Sequence, residues 1–119
     1  MIDELERLIR FTEKELNLCP WLSTVGIEEI IEATRDELKE LEEAIEDKTN
    51  VDEEVGDVFR NALILLLKVA NEQNVKPSEI IEQTMRKIAK RKPWVNEGKK
   101  VSLAKAKEIW EKVKKEERG

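Results

Sequence analysis

Apolar residues recur along this chain at intervals of three and four, the spacing of one helix face rather than the alternation of a strand. Leu5, Leu8, Ile9 and Leu16 mark a first helix from Asp3 to about Asn17, closed by the turn-like Asn17-Leu18-Cys19-Pro20. Ser23 or Thr24 is placed to cap a second helix, whose stripe of Ile27, Ile30, Ile31, Thr34, Leu38, Leu41 and Ile45 continues to about Asp47. After the break at Lys48-Thr49-Asn50, the pair Asn50 and Glu53 reads as a capping-box start for a third helix, reaching about Asn74. Its segment Ala62 to Leu67 is apolar on every side and is expected to be buried, with Val55, Val58, Ala62, Leu66 and Val69 as the core face. Lys76-Pro77-Ser78 opens a fourth helix that must stop before Pro93, because proline disfavours helical geometry in its predecessor. A loop from Trp94 to Val101 then precedes a last helix from about Ser102, carrying Leu103, Ala106, Ile109, Trp110 and Val113. The expectation is all-α: an antiparallel bundle of about five helices in one domain, residues 1–119.

Composition narrows the chemistry. The chain of 119 residues has one cysteine, no histidine and no tyrosine. The lone Cys19 excludes an intramolecular disulfide framework, and the lack of histidine removes the usual zinc ligand and the usual general base. Acid–base work is left to carboxylates, lysines or bound water. No leader pattern is visible and the most apolar stretch is too short to span a bilayer, so a cytoplasmic protein with no membrane partner is expected. An acidic net charge of −5 and no recognisable binding motif argue against nucleic acid. A core this thin also favours a homo-oligomer, because partner subunits would add cover.

The net charge conceals an asymmetry. Residues 1–57 hold 19 acidic and 6 basic side chains, whereas residues 58–119 hold 8 acidic and 16 basic ones. Two acid pairs stand out in the acidic half, Glu37-x-x-Glu40 and Glu54-x-x-Asp57. Residues three apart on a helix project to nearly the same side, so each pair aims two carboxylates in one direction. Two such faces make an oxygen cage suited to Mg²⁺, with Mn²⁺ as a substitute. Ala33 and Ala44 bracket the first pair, leaving room for ions and a ligand, and Gly56 lies inside the second. Either pair alone also reads as a solvated helix face. In the basic half, Lys87 and Arg91 share a helix side, which fits either a phosphate clamp or simple compensation of the helix dipole.

Taken in order, these residues resemble the MazG-like, all-α nucleoside triphosphate pyrophosphohydrolases. Cys19-Pro20-Trp21 is similar to the family's Cys-Pro-Trp opening, and a Glu-rich E-x-x-E helix follows at the family spacing. Glu53-Glu54-Val55-Gly56-Asp57-Val58 resembles E-E-L-G-D-L, Lys87 to Pro93 resembles K-L-x-R-R-x-P, and Glu108 to Lys114 resembles the closing N-W-E-x-I-K helix. The resemblance covers about residues 19–117. The chain departs from it at Leu22, Val25-Gly26 and Ile27, where relatives carry Asp, Thr and His, and at Lys92 and Trp94, where histidines often flank the proline.

The resemblance implies that Glu37, Glu40, Glu54 and Asp57 ligate Mg²⁺ and that Lys87 and Arg91 contact a triphosphate. It further implies a homodimer or homotetramer. Trp21 is a candidate base-stacking platform or a core residue, and Asn61 a candidate hydrogen-bonding group for water or nucleotide. The expected reaction converts a nucleoside triphosphate and water to the monophosphate and pyrophosphate, clearing aberrant or excess nucleotides. Glu54 would act in catalysis with Glu53 as the nearest proton acceptor. Two rivals stand beside it: a same-fold hydrolase dedicated to dUTP, dCTP or a phosphoribosyl-nucleotide, and a non-catalytic helical interaction module.

Overall fold

A computed structural model describes all residues, Met1–Gly119. It is all-α, with seven helices rather than about five: α1 Ile2–Leu18, α2 Pro20–Thr24, α3 Ile27–Asp47, α4 Val51–Glu72, α5 Pro77–Arg91, α6 Pro93–Asn96 and α7 Leu103–Arg118. The two additional helices are short, and each begins at a proline, whose fixed φ and missing N–H suit the first helical position. Both lie in segments read from the sequence as turn or loop. No helix is long and apolar enough to cross a membrane.

The chain forms two compact units, Met1–Val75 and Lys76–Gly119. In the first, α3 and α4 pack as a helical hairpin, and α1 packs on α2 and α4. The α3–α4 connection departs from the expected capping box. Asn50 takes left-handed backbone angles (φ 53°, ψ 28°) and makes no side-chain cap, which needs an extended residue. Lys48 is also left-handed, and the Thr49 amide donates to the Ala44 carbonyl at 3.1 Å, closing α3 in the manner usually given to glycine. Ser23 and Thr24 likewise do not cap α3. Their hydroxyls donate back to the Pro20 carbonyl at 3.2 and 2.8 Å, and Gly26 stands at the N-cap instead.

The core joins Leu22, Val25, Ile30 and Ile64, with Leu16, Cys19 and Leu65 packed against it. On α4 the buried positions are Leu63, Ile64, Leu67 and Ala70, a face turned from the one expected. Val55 is 50% exposed and Ala62 is also exposed, while Val58, Leu66 and Val69 are half-buried. The difference follows from α1 and α2 covering the later part of α4, a neighbourhood that periodicity alone does not specify.

Lys68 interrupts this apolar face. Its Nζ donates to the carbonyls of Leu22 at 2.7 Å and Val25 at 2.9 Å, tying the end of α2 to α4. Those carbonyls are among the groups a helix end leaves without intrahelical partners, so the ammonium satisfies them while its own charge is compensated by their dipoles. Arg60 and Glu15 form a second tie, at 2.6 Å, between α4 and α1.

In the second unit α5 contacts α6 and α7. Ser102 caps α7, its Oγ accepting from the Lys105 amide at 3.1 Å. No residue of this unit is fully buried.

Candidate metal centre

The α3–α4 hairpin brings the two acid pairs together. Carboxylate oxygens of Glu37, Glu54 and Asp57 all lie within 4.8 Å of one another, and each residue is half-buried. Glu40 is exposed beside this group, outside the mutual set, and its charge acts on both Glu37 and Glu54. The helical spacing explains the convergence: each pair presents one helix side, and the tight connection at residues 48–50 lays the two sides face to face.

The arrangement is electrostatically uncomfortable without a cation. Burial pushes the Glu37 carboxyl above its ordinary value of 4.5, and the charges of Glu40, Asp57 and Glu54 push it further. Burial also raises Glu54, followed by the charges of Glu40, Asp57 and Glu53. Glu37 Oε2 and Glu54 Oε2 are both buried and lack a hydrogen-bond partner. Orphaned carboxylate oxygens are costly, and hard divalent cations with oxygen ligands relieve this cost. The donor set therefore fits Mg²⁺ or Mn²⁺, with Glu37, Glu54 and Asp57 inside and Glu40 at the rim.

Other sequence candidates fall around this centre or apart from it. Glu53 is exposed beside Glu54, and Asn61 is half-buried one turn beyond Asp57. Gly56 faces open space: a Cβ built there would meet nothing within 4 Å, so no close helix contact demands it. Trp21 is 55% exposed on α2, so its ring is not spent in the core. Lys87 is exposed and Arg91 half-buried in the second unit. There the Arg91 guanidinium donates to Glu117 at 2.8 Å and lies 5.1 Å from the Trp110 ring centroid.

Sequence reasoning missed Lys68 and Glu117. A lone lysine inside an apolar run, on the same side as Ile64, was the available signal for the first. For Glu117 no local signal exists, because its partner lies 26 residues away.

The family model for the MazG nucleotide pyrophosphohydrolase domain matches residues 26–96, which include all four acids of the two pairs. The chain belongs to the MazG family. This MazG chain is also similar to the crystal structure of a mazG-related protein from Thermotoga maritima, at 35% identity and a TM-score of 0.87. The match covers 92% of this chain and 98% of that one, so it extends beyond both ends of the residues matched by the family model. No curated protein matches. Membership supports nucleotide pyrophosphohydrolysis as the general activity, and the acid cluster lies within the matched residues.

Proposed function

We propose that the chain is a Mg²⁺-dependent nucleoside triphosphate pyrophosphohydrolase that releases a nucleoside monophosphate and pyrophosphate and serves to clear nucleotides in the cytoplasm. The observation that carries this reading is the convergence of Glu37, Glu54 and Asp57 within 4.8 Å, with two buried and unpartnered carboxylate oxygens. Bound Mg²⁺ would supply neutralisation of phosphate charge and a water of lowered pKa.

The chain's own groups have separable roles in this reading. Glu37, Glu54 and Asp57 would hold the cation, with Glu40, whose charge acts on Glu37 and Glu54, completing the ligand set that the family resemblance implies. Glu53, exposed beside the cluster, accepts the proton from the attacking water. Trp21 offers a face for the base and Asn61 a polar contact. Lys87 and Arg91 are retained as phosphate-binding groups on the strength of the family resemblance. A second copy of the chain is the proposed partner: Val51, Val55 and Phe59 on one side of α4 and Leu38 and Ile45 on α3 remain exposed, more apolar surface than a monomeric helix pair needs to leave open. Light scattering on the purified chain decides that point, a monomer at micromolar concentration counting against it.

The activity is tested by pyrophosphate release from ribo-, deoxyribo- and oxidised nucleoside triphosphates, with Mg²⁺ and with EDTA. Metal-dependent release that disappears in Glu54→Gln supports the reading. Release that persists in EDTA, or none from any triphosphate, contradicts it.

A further inference from the structure

In the second unit a carboxylate sits where cations gather. Glu117 Oε2 accepts from Arg91 Nη2 at 2.8 Å, with only 18% of the Arg91 side chain and 24% of the Glu117 side chain exposed. The Arg91 hydrogen bond holds the Glu117 carboxyl below its ordinary value against the opposing effect of burial, and the charges of Arg91, Lys90 and Lys87 add to the lowering. Three cations thus act on one anion. They come from the last turns of α5, where residues 87, 90 and 91 share a helix side.

Two features make this contact replaceable. Glu117 lies in the last turn of α7, where an acidic side chain opposes the helix dipole and the backbone frays readily. Arg91, by contrast, is held independently of Glu117, because its guanidinium lies over the Trp110 ring. Its Nε is buried without a partner, so the fork has a donor that Glu117 does not use. A ligand with several anionic oxygens satisfies such a fork better than one carboxylate does.

We propose that Glu117 is an internal stand-in for phosphate, occupying an anion site formed by Lys87, Lys90 and Arg91, and that a polyphosphate binds there by displacing it. The inference deepens the proposed function, which already assigns Lys87 and Arg91 to phosphate, by adding Lys90 to that site and Glu117 as its competitor. Glu117 is thereby a built-in competitor that weakens polyphosphate binding and favours release.

The probe is inorganic tripolyphosphate in EDTA, titrated calorimetrically into the full chain, so that neither metal nor turnover enters. Glu117→Gln is expected to bind about five-fold more tightly than the native chain, the scale of one partly exposed ion pair. Glu116→Gln removes the same charge from an exposed neighbour and is expected to change binding little. Adding Arg91→Gln to Glu117→Gln should bring binding below the native level. Equal binding by the two single variants, or weaker binding by Glu117→Gln, overturns the proposal. Hydrogen exchange of the native chain gives a reading that no variant's folding can confuse: tripolyphosphate should speed exchange at the last amides of α7, and slowed or unchanged exchange there also overturns it. If pyrophosphate release fails while these results hold, the hydrolase reading falls and the anion site stands.

Discussion

The two units differ in what holds them and in what they hold. Met1–Val75 carries 20 acidic and 8 basic residues and every fully buried side chain, whereas Lys76–Gly119 carries 7 acidic and 14 basic residues and no fully buried one. The first unit builds its acid cluster on the packed α3–α4 hairpin, whose later part is anchored by Ile64, Leu67 and their neighbours. The second is tied by Arg91, Glu117 and Trp110, contacts that water, salt and anions can compete for. Packed apolar surface therefore serves where geometry must not move, and polar ties where a contact is to be exchanged.

The largest effects are expected at the acids of the first unit. Glu54→Gln or Asp57→Asn should lower turnover at least about 100-fold while the far-ultraviolet circular dichroism stays native, since a ligand matters at least as much as the outer partners of a metal site. Native turnover in either variant would move the centre elsewhere. Next comes the core: Ile64→Ala should cost about 2–5 kcal/mol in denaturant unfolding, whereas Ile81→Ala, on an exposed position of α5, should cost far less. Equal losses would mean that the second unit has a core supplied by partner chains.

A pH titration sharpens the electrostatic half of the contrast. Glu37 and Glu54 bind protons more tightly in the folded chain than in the unfolded one. Without metal, their contribution to stability is therefore greatest in acid and declines as pH rises from about 4.5 through their raised folded values. Melting temperatures from pH 4 to 8 should show this decline in EDTA and a weaker one in Glu54→Gln. Glu117 is shifted the other way, so its contribution is lost as pH falls through its lowered value. The smallest effect expected is at Gly56, where alanine meets open space and should stabilise the helix by roughly 0.5–1 kcal/mol; a loss of stability would show that a partner chain packs there.

How much of this was legible depended on range. Helix periodicity gave five helices with bounds within a few residues, because a stripe such as Ile27, Ile30, Ile31, Thr34 encodes its own period. The acid pairs were legible for the same reason, and their face-to-face approach followed from a short connection. What escaped was chemistry set by partners distant in sequence. Ser23 and Thr24 had cap-forming side chains but bonded backward to Pro20. Asn50 had the residue type of a cap but not the backbone angles. Val55 looked like core because it is apolar and in register, yet the helices that cover α4 lie along its other face. Lys68 and Glu117 find partners 46 and 26 residues away, beyond any local pattern.

In the proposed reading Glu37, Glu54 and Asp57 form a divalent cation site. Its most direct test is a Mg²⁺ and Mn²⁺ titration of the native chain and Glu54→Gln without nucleotide, read by calorimetry and melting temperature. Binding to the native chain with a rise in melting temperature, and loss of both in the variant, is the predicted result. An equal rise in both proteins, or none in either, would contradict it.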